Sequence, residues 1–365
     1  MPNQDTDAAW KYHNGTKHSY TSVRTHPHFL DWENRPLLFK IYSTLEVLRL
    51  PKDLKPSGIP ALQAMAKAKD SPTTNIVPDL DALAQILFLS AGVTKSKKYP
   101  GGEMFFRAAA CTGALYEIEL YVVCGDLPGL AAGVYHFGVA EFGLRQLRAG
   151  DFRQVLVEAT AAEQTVAHAP LIIICTGTYW RNAWKYRSRT YRHFGWDNGT
   201  LVANLLAVAA ALGFPAKVIA GFVDGDVNRL LDLNPQREVA FTLVPVGDNS
   251  STAPAVKTKI EPLELPVMPY SNTEVDYPPM RQMHEASSLA SAAAVGAWRK
   301  SSMANSKETA AQGKDVGKKT AEIPLQPLSD ANIPRDSIEQ VIRRRGSTRK
   351  FSRSAISFTQ LSTLL

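Results

Sequence analysis

No two cysteines in this sequence are placed for a metal site or a redox motif. Cys111, Cys124 and Cys175 are the only three. Without a C-x-x-C or a Cys/His spacing they exclude a disulfide framework and a zinc module, and they read as reduced thiols. Long apolar runs are also lacking. The longest uncharged one, Leu201 to Ala216, contains Asn204, Gly213 and Pro215. It is shorter than the roughly 20 residues a bilayer requires, so a core helix is expected there. The opening MPNQDTDAAW has neither a basic nor an apolar leader region, and a cytoplasmic protein with no membrane partner is expected. The bulk of the chain carries no net charge. Residues 1–280 hold 27 Lys+Arg and 27 Asp+Glu, while residues 281–365 hold 14 and 7 and supply the whole net charge of +7. A neutral body with a basic tail argues against nucleic acid as a partner.

The stretch that stands out runs from Trp180 to Gly213. Its first half is crowded with Arg, Lys, Tyr and Trp, and its second half is nearly pure apolar helix former. Such a segment presents reactive side chains at the mouth of a site and anchors them in a core. Around it, residues 1–60 read as an irregular N-terminal arm. Their four histidines (His13, His18, His26, His28) lack helical spacing and are interrupted by Pro27, so an arm wrapping another surface is expected rather than a metal site. Residues 79–92 have helical periodicity with an Asp start and a Gly stop. KSKKYPGG reads as a turn-rich loop. Strands are expected in 107–124, 170–175, 217–223 and 239–246, a hairpin over 133–148, and helix over 151–167 and 201–213. Hairpins mixed with helices point to an α+β fold rather than a βαβ series. Pro, Ser and Thr, then Ala, Ser and Lys, dominate after Gly247, and residues 248–330 are expected as a low-complexity linker. Helical signals return at 337–345 and 357–365.

Five stretches in order then carry a resemblance: YHNGTKHS with HFLDW, RAAACTGALYEIELYVV, GLAAGVYHF, WKYRSRTYR followed by GTLVANLLAVAAALG, and GFVDGDVNRLLDLNPQREVAFTLVPVG. Together they resemble the nitroreductase-like flavoprotein superfamily and, within it, the SagB/ThcOx-type dehydrogenases. The resemblance covers most of residues 11–247. It implies a nitroreductase-like domain over 61–247, with a central mixed or antiparallel sheet flanked by helices. VIRRRGSTRKFSRSAISFTQLSTLL resembles the opening of a second copy of that domain, expected over 331–365. The chain is accordingly expected to be a tandem protein whose second domain is truncated. In the first copy the corresponding arginines are absent, and AMAKAKDSPTTN offers only Lys67 and Lys69.

The resemblance implies FMN as cofactor. Arg107, Cys111, Thr112 and Gly113 fall in the family's flavin-contacting loop. Arg343, Arg344, Arg345, Ser347 and Arg349 match the run that binds the flavin phosphate, where guanidinium groups suit a doubly charged anion. Two departures matter: Cys111 stands where Ser is usual, and Glu117 where Pro is usual. Cys111 has no histidine paired with it in sequence and reads as a packed thiol rather than a nucleophile. Lys185 and Tyr186 match the Lys-Tyr pair that similar azoline oxidases use in catalysis. Tyr186 could serve as a base only if the cations around it, Lys185, Arg187, Arg189 and Arg192, lowered its pKa. Asn204 is expected as a satisfied polar group in an apolar helix. The implied function is an FMN-dependent oxidoreductase acting on an azoline-bearing peptide or a small molecule, with NAD(P)H or oxygen as redox partner. The implied assembly is a homodimer or an intramolecular pseudo-dimer. The alternative is a flavin-free, degenerate domain that dimerises or binds a peptide. No metal is expected.

Overall fold

The computed structural model describes residues 5–25, 28–66, 75–100, 102–249, 260–312 and 322–365. The strands are β1 (Leu48–Arg49), β2 (Val93–Tyr99), β3 (Gly102–Arg107), β4 (Ile118–Cys124), β5 (Gly133–Gly138), β6 (Gly143–Ala149), β7 (Leu171–Thr178) and β8 (Glu238–Val246). The helices up to the long apolar one are α1 (Thr6–Thr16), α2 (Tyr20–Thr25), α3 (Ala61–Ala66), α4 (Leu80–Ala91), α5 (Arg153–Ala159), α6 (Gln164–Ala167), α7 (Tyr179–Tyr186) and α8 (Thr190–Ala211). After it come α9 (Asp224–Leu230), α10 (Pro278–Ser287), α11 (Ala292–Gln312), α12 (Ile338–Arg344) and α13 (Phe358–Leu364).

Six strands form one sheet in the order β1-β6-β5-β4-β7-β8, and every pairing in it is antiparallel. The central strands β4 and β7 are buried along their whole length, which is why IELYVVC and LIIICTGT read as nearly continuous apolar runs. Alternate side chains feed two cores. Leu120 and Val122 join α4 and α8 on one face. Tyr121 and Val123 join α5, α9 and Val295 of α11 on the other. The α4 helix starts where the Asp79 carboxylate accepts the Ala82 N–H at 2.8 Å and stops at Gly92. Leu83, Ile86 and Leu87 are then fully buried against α8, each contributing about 1.5–3 kcal/mol by burial. No helix among the described residues is long and apolar enough to cross a membrane.

Several sequence expectations are corrected. The KSKKYPGG loop lies in a hairpin, β2–β3, paired from Val93↔Arg107 to Tyr99↔Gly102; its lysines are exposed and so hid the strand alternation. Residues 217–223 form no strand but touch β8 through isolated bridges such as Ile219↔Leu243. The arm holds two helices, α1 and α2, rather than irregular chain. Residues 260–300 of the expected linker pack on the body, with Tyr270, Met280 and Val295 buried. This strap pairs with the arm: Leu37 N–H donates to Tyr270 O, and Met268 N–H to Ile41 O. It buries single apolar residues at irregular intervals, so no periodicity announced it. His26, Lys67, Lys69 and residues 250–259 and 313–321 lie outside the described residues. Of the segment expected to open another domain, α12 docks on the first body through Ile338 and Ile342, against α3, α4 and α8, while α13 is largely exposed.

A buried polar network ties arm and sheet together. Lys40 Nζ lies 2.6 Å from Glu238 Oε2 and 2.7 Å from the Tyr121 hydroxyl, and Thr176 of β7 also donates to Glu238. Burial pushes the Lys40 ammonium down, but the Glu238 carboxylate outweighs it, and its pKa is raised. Removing one member strands a buried charge. Lys40→Met should therefore cost about 3–5 kcal/mol, measured as a fall in urea midpoint at unchanged slope; a loss below ~1 kcal/mol would show that the pair carries no such weight.

Candidate functional site

The site forms where β3 ends, the Cys111 loop turns, and α7 hands over to α8. The loop is bent sharply. Gly113, Ala114 and Tyr116 all have positive φ, at 69°, 53° and 54°, a conformation costly for the two non-glycines and typical of functional turns. Gly113 has a second reason to lack a side chain: a Cβ there would stand 2.9 Å from the Tyr186 hydroxyl oxygen. Tyr186 is thus pressed against the loop from α7.

Side chains from the helices hold the turn. The Asp197 carboxylate of α8 accepts the Thr112 N–H and the Thr112 hydroxyl, both at 2.9 Å. The Cys111 Sγ lies 3.3 Å from Asp197 Oδ2 and 3.3 Å from Glu117 Oε2, and it accepts the Tyr116 N–H at 3.0 Å. Asn182 of α7 donates to Thr112 O and accepts from the Thr190 hydroxyl and from His193 Nδ1. Burial is the main cause of a fall in the His193 pKa to about 4, so His193 is neutral and donates from Nδ1. Its ring meets Tyr186 edge-on, 4.6 Å between centroids.

Glu117 is fully buried, and its backbone carbonyl is fixed by the Thr178 N–H and hydroxyl. Burial first, and Asp197 second, push its carboxyl well above the usual range. Cys111 is pushed up by burial and by both carboxylates, so it is no thiolate nucleophile near neutral pH. Tyr186 corrects the expectation set by its neighbours in sequence. Its pKa is raised, by burial and then by Cys111, Asp197 and Glu117. The arginines beside it point elsewhere: Arg189 and Arg192 donate to Thr16 and His13 of the α1 region. Lys185 stays near, 5.5 Å over the Tyr186 ring.

Arg107 and Arg345 meet beside the loop. Arg345 donates to the carbonyls of Ala108 and Arg107. Arg107 is buried and donates to Leu38 O at 2.6 Å, but its Nε has no partner among the described residues. Together with Ser90, Ala109, Cys111, Tyr116 and Asp197 it lines a cleft. The other expected phosphate ligands do not converge there. Arg344 pairs with Asp336, Arg343 lies over the Phe88 ring, and Ser347 and Arg349 are exposed. Asn204 is satisfied, donating to Leu89 O. Sequence reasoning missed Asn182, His193 and Asp197. The available signal was an acidic residue, Asp197, just ahead of an otherwise apolar run.

Residues 73–248 match the family model described as "Nitroreductase family". The chain is similar to "Putative nitroreductase MJ1384" of Methanocaldococcus jannaschii, at 27% identity over 168 residues, 46% of this chain and 80% of that one. Its structure is similar to that of a "putative nitroreductase" from Anabaena variabilis, with a TM-score of 0.67 and 22% identity over 98% of this chain and 67% of the other. A further "putative nitroreductase", from Ralstonia eutropha, gives 0.46 at 20% identity over 62% and 100%. The fold is nitroreductase-like, an α+β arrangement with an antiparallel sheet flanked by helices.

The electrostatics of Tyr186 can be tested directly. Its phenol should titrate above the ordinary value of about 10, read as the ultraviolet difference between the protein and Tyr186→Phe across alkaline pH. A midpoint below ~9 would mean that cations, not the acids, govern it.

Proposed function

We propose that this chain is an FMN-dependent oxidoreductase, and the observation that carries the reading is that Arg107 lines the cleft with Cys111 while Arg345 bonds the carbonyls of Arg107 and Ala108 just ahead of the loop. Two arginines close to a glycine-containing turn, on a nitroreductase-like fold, support that reading. The residues fit the cofactor. Arg107 Nε is a buried donor without a partner, Gly113 keeps the loop surface free of a Cβ, and Thr112 presents polar atoms at the turn. FMN would supply the hydride chemistry, while Arg107, Arg345 and the loop would hold it.

The enclosed part of the cleft is about 20 Å³, room for a single water. So small a cleft supports a reading in which one chain forms one wall and a second copy, or a second domain of the same protein, supplies the other. Tyr186, held as a phenol, suits a proton donor to a substrate being reduced by NAD(P)H-derived electrons. Oxidation of an azoline ring on a peptide, with oxygen as final acceptor, is the finer alternative and needs another group to take the carbon-bound proton. A flavin-free binding module is favoured by one fact: Arg343, Arg344 and Arg345 already have partners within the chain.

The visible spectrum after FMN addition and desalting decides between them. Flavin bands should persist, and Arg345→Ala should weaken FMN binding about tenfold or more, the loss of one charge-assisted contact. A protein that stays colourless alone and when supplied with the second domain would favour the binding module.

A further inference from the structure

Cys111 and Glu117 touch each other, and Asp197 touches the same sulfur. A thiol has one proton to donate. With carboxyl oxygens 3.3 Å away on both sides, it can satisfy one of them; the other contact is attractive only if a carboxyl brings a proton of its own. The hydrogen bonds say which. Asp197 already accepts from the Thr112 N–H and hydroxyl, donors that favour a carboxylate. Beside the shared thiol, Glu117 has only its own backbone N–H. It is sealed from solvent, and its Oε1 is without a hydrogen-bond partner among the described residues.

We propose that Glu117 and Asp197 share one proton, bridged by the Cys111 thiol, and that this pair is the proton store of the site. The proposal rests on the oxidoreductase reading. A hydride removed from a substrate leaves a proton behind, and the protein must accept it. Asp197, which lines the cleft, accepts that proton at a carboxylate oxygen. The pair then holds two protons, and release of one to solvent restores it; reduction of a substrate runs the same proton outward. Glu117 acts as a positioning residue, keeping the resident proton where solvent cannot remove it. The groups that face the cluster are Tyr116 of the loop, Arg107 of β3, Tyr186 of α7 and His193 of α8. Of these only Arg107 is cationic near neutral pH, and it is not bonded to either carboxyl.

The test uses the whole chain without cofactor, so its outcome is independent of flavin binding. The infrared difference between the protein and Glu117→Gln at neutral pH should show the carbonyl band of a protonated carboxyl, lost in the variant. Asp197→Asn, which keeps an acceptor for Thr112, should shift that band rather than abolish it. Alkylation of Cys111, the half-buried cysteine beside two fully buried ones, gives a second readout. Glu117→Gln, which leaves the charge on Asp197, should move the pH midpoint by less than ~0.5 unit, whereas Asp197→Asn and the double variant should each lower it by more than ~1, because Asp197 holds the pair's one charge. No protonated-carboxyl band, or a shift of about 1 unit in Glu117→Gln, would overturn the proposal. So would a stoichiometric divalent metal that co-purifies and is lost in Glu117→Gln. A band with no flavin retention would leave the shared proton standing and fail the oxidoreductase reading alone.

Discussion

The site depends on one buried contact, that of Arg181 with β4 and the loop. Arg181 is completely buried in α7, and its Nη1 donates both to the Glu119 carboxylate and to the Tyr116 carbonyl. One cation therefore fixes the end of the Cys111 loop and the start of β4 to the helix that carries Lys185 and Tyr186. Burial opposes the charge on Glu119, but Arg181 and then His136 outweigh it and hold it ionised. Tyr270 of the strap lies with its ring centroid 4.7 Å from the guanidinium carbon. The contact is thus walled in by a segment more than eighty residues downstream. A buried ion pair of this kind adds little net stability compared with apolar packing. What it adds here is placement, since neither the loop nor α7 can shift without breaking it.

The same helix–loop junction shows why neighbours in sequence are poor guides to electrostatics. Tyr186 is followed by Arg187, Arg189 and Arg192, yet the groups that act on it come from positions 111, 117 and 197. The chain turns at Arg187, where φ is 50°, before α8 begins at Thr190. That turn carries Arg189 and Arg192 outward onto α1, where they bind backbone carbonyls and the Thr16 hydroxyl, and leaves the phenol facing inward toward carboxyls. The cationic character that marks this stretch is spent on holding the N-terminal arm, while the chemistry around Tyr186 is acidic.

Much of the scaffold was legible because it is periodic. The α4 and α8 helices and the buried strands β4, β7 and β8 each bury a continuous or alternating apolar face, and such faces leave a signature in sequence. The strap over 260–300 was not legible, because it buries single residues such as Tyr270 against a partner more than two hundred residues earlier. The hairpin β2–β3 was hidden by lysines on its exposed positions. In the site, the loop residues Cys111, Thr112 and Gly113 and the pair Lys185 and Tyr186 were visible through motif order, and Tyr186 stands against the loop at Gly113. Asp197, Asn182 and His193 were not, because their roles come from the packing of α8 on the loop, a long-range contact that local pattern does not encode.

The two departures in the loop gain meaning only from that long-range packing. Proline at position 117 would offer neither donor nor acceptor in its side chain, and serine at 111 would donate a stronger hydrogen bond than a thiol does. Exchanging either alone would leave an unmatched group: a buried carboxyl without its sulfur, or a thiol facing Asp197 alone. A buried carboxyl with no cation beside it is tolerated only where protonation removes its charge, and here the groups in contact with Glu117 supply acids and no base. Cys111 and Glu117 are therefore physically coupled, with Asp197 as the third member that both must accommodate. What marks this candidate site is a thiol set between two carboxyls, an arrangement suited to holding a proton in an enclosed place rather than to adding a charge.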